Sequence, residues 1–144
     1  AEMLHACEEH FEAADIVVMS AAVADYTPVE VASQKIKKKE NELSIELKKT
    51  VDILATLGAK KKENQLLVGF ALETNNELEN AKDKLIRKNL DFIVLNSMQD
   101  KGAGFATDTN KVTIIDRAGN THEFSLKSKE EVAKDICSII VSLS

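Results

Sequence analysis

Three short runs constrain this chain's fold more than anything else in it: "DIVVM" ending at Met19, "LLVGF" ending at Phe70 and "FIVLN" ending at Asn96. Each is nearly all apolar and too short for an ordinary helix, as expected of strands buried on both faces of a parallel sheet. The stretches between them have helical spacing. "AEMLHACEEHFEAA" puts Met3, Leu4, Cys7, His10, Phe11 and Ala14 on one stripe, and "NELENAKDKLIRKN" turns Ala81, Leu85 and Leu78 inward. Thr50 is the expected cap of "VDILATLGA", with Asp52 in the favourable first turn. "LSIELKK" alternates at Leu43, Ile45 and Leu47, the pattern of a strand with one wet face. "KVTIIDRAGNTHEFSL" predicts a hairpin turning at Ala118–Asn120. Ser128 and Glu131 form a capping box before a last helix with Val132, Ile136, Ile139, Ile140 and Leu143 apolar. Strand, loop and helix recur in order, which predicts a three-layer α/β domain over residues 1–144, on a mainly parallel sheet with a C-terminal β-hairpin.

Charge and composition narrow the function. A net charge of −5 argues against a general nucleic-acid binder, and no run is long and apolar enough for a membrane span. Glu8, Glu9 and Glu12 interrupt any secretion-signal pattern at the start. Cys7 and Cys137 lie far apart on amphipathic patterns and read as reduced packing residues, and the three histidines show no ligand spacing with them. A cytoplasmic location is expected. Open α/β nucleotide folds usually begin with a strand and a glycine-rich turn, whereas this chain begins on a helix pattern and has no G-x-G-x-x-G. An amino-terminal part of the domain is expected to lie outside the chain.

Ligands of open α/β sheets bind beyond the carboxyl ends of the strands. The first such loop, "AAVADY", is made of small residues with Asp25 as its single charge, and "KIKKK" follows from Lys35 to Lys39. The loop after Phe70 offers Glu73, Thr74 and two asparagines, and the one after Asn96 offers Gly102, Gly104 and Phe105. Turn chemistry and a solvated lysine face account for much of this. A second basic group, Lys84, Arg87 and Lys88, sits on one helix at i, i+3 and i, i+4 spacing. Two basic groups beside strand-end loops on an acidic chain read as a phosphate pocket. The lysine-rich segment from Val29 to Glu42 is expected to be mobile until phosphate neutralises it.

Taken together, "AAVADY" with "KIKK", then "DIL", "VGFALET", "KLIRKNLDFIVLN" and "GAGFATDTNKVTIID", resemble the phosphopantothenoylcysteine synthetase family. This is the synthetase half of the bacterial bifunctional coenzyme A biosynthesis proteins, also called DNA/pantothenate metabolism flavoproteins. The resemblance implies a Rossmann-like fold and a cytoplasmic homodimer. It implies a ligase joining 4′-phosphopantothenate to L-cysteine through an acyl-cytidylate, with CTP converted to CMP and pyrophosphate. Met19, Ser20 and Ala21 would line the nucleotide pocket, and Asp25 would contact nucleotide directly or through Mg²⁺. Lys35 would be the catalytic lysine and also touch nucleotide. Val51, Asp52, Ile53 and Leu54 would meet the cytosine side, with Val51 standing where many relatives have proline. Phe70 would pack on the nucleotide, and Lys84 and Lys88 would hold phosphate. The family's amino-terminal glycine-containing segment and its asparagine are absent here, so the ligase is implied for a longer product, and this chain's own activity stays open. The flavin-dependent decarboxylase that often precedes the synthetase is absent too, so a fused or associated decarboxylase is a candidate partner and no flavin is implied for this chain.

Two other readings stay open. One is a non-catalytic nucleotide-binding module that keeps the phosphate pocket. The other is a dimerisation domain whose hairpin, Lys111–Leu126, extends a partner's sheet through Val112, Ile114, Phe124 and Leu126.

Overall fold

A computed structural model describes residues 2–34, 44–73, 75–97 and 108–143. The element order is α1 (Glu2–Phe11), β1 (Ile16–Met19), β2 (Tyr26–Pro28), β3 (Leu47–Lys49), α2 (Ile53–Lys60), β4 (Leu66–Glu73), α3 (Glu77–Arg87), β5 (Phe92–Ser97), β6 (Thr109–Asn110), β7 (Val112–Asp116), β8 (Thr121–Glu123), β9 (Lys127–Ser128) and α4 (Lys129–Leu143). The main sheet has the order β1-β4-β5-β7-β8. β1, β4 and β5 run parallel, with Ile16 opposite Leu66 and Val68 opposite Phe92, and β7 and β8 add antiparallel. Two-stranded sheets β2–β3 and β6–β9 stand beside it.

The period of two along β5 explains the three layers. Ile93 and Leu95 face a cluster with Phe11 of α1, Ile53 and Leu57 of α2, and Ala81 and Leu85 of α3. Phe92 and Val94 face the opposite cluster, built with Val132, Ile136 and Ile140 of α4. All four β5 residues are buried, as expected of a strand between two helical layers.

β1 departs from that expectation. Among the described residues it stands at the edge of the main sheet, and its Val17 and Met19 pack on the α1–α3 side. Ile16 and Val18 point to the other face and remain 44% and 43% exposed. An apolar run signals burial, but position in the sheet decides how much of it is achieved. "LSIELKK" is shorter than predicted, since only Leu47–Lys49 form β3, all three exposed, while Leu43 lies outside the described residues. On the helices, Leu78 and His10 are exposed instead of inward, because α3 and α1 bury narrower stripes than their patterns allowed.

Two capping expectations resolve differently. Asp52, not Thr50, is the N-cap of α2: its Oδ1 accepts the Ala55 N–H at 3.0 Å. Thr50 instead ties the first loop to the start of α2, its hydroxyl donating to the Ala24 carbonyl at 2.7 Å and its N–H to the Asp25 carbonyl at 2.9 Å. At α4 the capping box forms as predicted, with the Glu131 carboxylate accepting from Ser128 N–H at 3.1 Å and the Glu131 N–H donating to Ser128 Oγ at 3.2 Å. The hairpin turns where expected, with Gly119 at φ +88°, a left-handed value that glycine adopts without strain. Its Val112 and Ile114 belong to the core, so they are not available to a partner's sheet.

Candidate functional site

The first strand-end loop, the start of α2 and the end of α3 are joined by short contacts. Besides the Thr50 bonds, the Asp52 Oδ2 lies 2.8 Å from the Lys88 ammonium. This approach depends on Gly58, where an added Cβ would sit 1.9 Å from the Lys88 carbonyl oxygen. The Asn89 side chain, on a residue with φ 53°, donates to the Gly58 carbonyl at 2.8 Å and holds the two helices together. Burial works to raise the Asp52 pKa, but the hydrogen bonds from Lys88 and the Ala55 N–H outweigh it. With the charges of Lys88 and Arg87 added, the carboxyl lies below its usual range.

The basic group on α3 is paired acid by acid. Lys84 reaches Glu73, the last residue of β4, at 2.6 Å; Arg87 reaches Asp83 at 3.2 Å; Lys88 reaches Asp52. The cluster read from the sequence as bare positive charge is therefore balanced within the fold. Glu73 was visible only as a polar residue near a strand end, and nothing in its spacing from Lys84 announces the pair. A further contact, Asn80 Nδ2 to Glu73 Oε2 at 3.3 Å, holds the carboxylate from the turn before Lys84.

A cavity of about 390 Å³ lies between α1, the first loop, β3 and the start of α2, lined by Met3, Leu4, Val23, Lys49, Val51 and Ile53 among others. Of the residues predicted to meet nucleotide, Val51 and Ile53 line it. Val51 is 61% exposed, Ile53 is buried, and Leu54 packs against the core. Ser20, Ala21 and Asp25 are exposed on the first loop. Met19 packs on the α1–α3 side of the sheet, and Phe70 packs on the opposite face beside Val68 and Phe92. The predicted residues thus approach the strand ends from both faces. Lys35 and Lys37–Lys39, most of the expected lid, Thr74, and the Gly102–Phe105 loop lie outside the described residues.

Asp25 offers one exposed carboxylate, and among the described residues no group of three or more His, Cys, Asp or Glu side chains could hold a metal. A single carboxylate fits Mg²⁺, which commonly completes its shell with waters and substrate phosphates. Among the described residues, no helix is long and apolar enough to cross a membrane.

These features define a class: an open-sheet α/β domain with polar and charged side chains gathered at the carboxyl ends of its first strands. The chain belongs to the family described as the DNA/pantothenate metabolism flavoprotein C-terminal domain, whose model matches residues 1–143. It is 48% identical over 144 residues to the Coenzyme A biosynthesis bifunctional protein CoaBC of Bacillus subtilis, covering 100% of this chain and 35% of that protein. It is 54% identical over 143 residues to a Cysteine/Cysteine sulfinic acid decarboxylase from an unknown prokaryotic organism, covering 99% and 40%. Among solved structures it is similar to the C-terminal domain of CoaBC, with TM-score 0.77, 39% identity, and 99% and 61% coverage. A Cab2 H337A mutant in complex with phosphopantothenate-cysteine shares the fold at TM-score 0.68 and 17% identity, covering 99% and 52%. The chain spans 35–40% of the length of the first two relatives.

Proposed function

We propose that this chain belongs to a ligase that joins 4′-phosphopantothenate to L-cysteine in coenzyme A biosynthesis, consuming CTP. The observation that carries the reading is the paired-lysine end of α3, with Lys88 against the N-cap of α2 and Lys84 against the end of β4. The Lys84 ammonium meets the last residue of β4, at the carboxyl ends where open sheets bind ligands, in a chain of the pantothenate-metabolism family.

A carboxylate does not acylate an amine in water, because its oxygen is a poor leaving group. In the proposed reaction the phosphopantothenate carboxylate attacks the α-phosphorus of CTP, pyrophosphate departs, and an acyl-cytidylate forms. The cysteine amine then attacks the acyl carbon, the C–O bond to the cytidylate breaks, and CMP leaves. The chain's part is positioning and charge neutralisation. Lys84 and Lys88 hold phosphate oxygens, and Val51 to Leu54 meet the cytosine beside the cavity. Met19, Ser20, Ala21 and Phe70 bound the nucleotide. Lys35 is assigned by family resemblance to the phosphate of the acyl-cytidylate. Asp25 would contact the nucleotide directly or hold Mg²⁺, which when bound would neutralise phosphate charge. By the same family resemblance, the chain's partners are a fused or associated flavin-dependent decarboxylase and a second copy in a homodimer.

The test is a ligation assay on the full-length gene product with 4′-phosphopantothenate, cysteine and each nucleoside triphosphate in turn. Phosphopantothenoylcysteine and CMP forming with CTP is the expected outcome. Ligation with ATP but not CTP would overturn the nucleotide assignment, and no ligation with any triphosphate would overturn the ligase.

A further inference from the structure

The two carboxylates that hold the α3 lysines are not equivalent. At Lys88 the acid lies outside: the Asp52 side chain is 44% exposed and the lysine 18%. At Lys84 the order is reversed, with Glu73 at 12% and the lysine at 35%. Of this pair the lysine is therefore the more exposed side chain and the carboxylate the more buried. Glu73 is also fixed from two sides. Its Oε1 accepts from Lys84 at 2.6 Å and its Oε2 from Asn80 Nδ2 at 3.3 Å, while the Asn80 amide also donates to the Asn75 carbonyl at 2.9 Å. The anchor is the last residue of β4, where it is paired with Ser97 of β5.

We infer that Glu73 is a positioning residue that presents the Lys84 ammonium to a nucleoside triphosphate. The inference rests on the ligase reading and adds a residue that reading does not use. An ammonium has three N–H donors, so the bond to Glu73 leaves capacity for phosphate oxygens. A free lysine stem must be ordered when ligand binds, at a cost that the carboxylate removes in advance. Simple charge repulsion predicts the opposite sign, because a carboxylate near bound phosphate disfavours it.

Glu73→Gln nearly preserves shape and removes the charge. In the full-length gene product, titration with Mg²⁺-CTP by calorimetry should show affinity falling roughly three- to tenfold, although a negative charge has been removed. KM for CTP should rise, and KM for cysteine should not. In a Lys84→Ala background the same substitution should have no further effect, provided circular dichroism shows the variants folded. Unchanged or tighter binding in Glu73→Gln would overturn the inference. An equal loss in the Lys84→Ala background would do so too, by assigning Glu73 to the packing of α3 on β4. Absence of CTP binding by the unaltered protein would instead overturn the ligase reading on which the inference stands.

Discussion

Asp52 does two things with one carboxylate: Oδ1 caps α2 and Oδ2 holds Lys88. Its depressed pKa sets a sign. A carboxyl with a lower pKa folded than unfolded stabilises the fold above the unfolded value, ordinarily near pH 4. That contribution fades as pH falls through the folded value. Asp52→Ala should cost about 0.5–2 kcal/mol at neutral pH from the cap alone, measured by urea unfolding. The gap to the unaltered chain should narrow below about pH 4. Asp52→Asn keeps a good cap and loses only the charge, so it should fall between the two at neutral pH. A gap that stays constant into acid would show that the carboxylate's ionisation contributes nothing.

The close approach of α2 to α3 depends on a residue with no side chain. The Gly58 Cβ position is occupied by backbone, the Lys88 carbonyl, which cannot rotate away as a side-chain tip could. Gly58→Ala should therefore separate the two helices. Overpacking commonly costs 1–3 kcal/mol, about the range expected here, and the Asn89-to-Gly58 bond and the Asp52–Lys88 pair would loosen with it. Thermal unfolding would report the first effect. The chemical shift of the Lys88 ammonium or of the Asp52 carboxyl would report the second. A variant with unchanged stability would mean that the helices part without loss. The α4 terminus shows a simpler element-scale rule, in which a four-residue pattern, Ser128 to Glu131, was enough to specify its own hydrogen bonds.

Across the whole molecule, burial follows distance from the sheet edge more closely than it follows hydropathy. Leu67 on β4 is fully buried, while Ile16 on β1 is 44% exposed. Leu67→Ala should cost about 2–5 kcal/mol, as large-to-small changes in cores do. Ile16→Ala should cost under about 1 kcal/mol, because little of its burial is lost. Urea unfolding of the two variants compares them directly, and equal losses would place Ile16 in a core that the structure leaves open. The same geometry bears on dimerisation. The hairpin's Val112 and Ile114 are committed to the α4 side of the core, which leaves Leu126, at 48% exposure, as the clearest apolar candidate there.

Much of this protein is determined by local pattern. Three apolar runs and the helical stripes between them specify a layered α/β sheet, because strand and helix periods differ and each must bury its apolar face. The capping box and the Gly119 turn also follow from neighbouring residues. What local pattern does not contain is which element lies beside which. β1 reads like β4 and β5, yet it stands at the edge with one face half open, because burial depends on strands and helices far away in sequence. The α3 lysines read as unbalanced charge, yet Glu73 and Asp52 arrive from other elements to pair with them. Thr50 and Asp52 both suit a cap, but the Thr50 hydroxyl is bonded to the loop before it, and Asp52 caps the helix. The residue types at the strand ends were legible in the chain. Their pairing, exposure and order from solvent inward are products of contacts between distant segments, and only the folded chain fixes those.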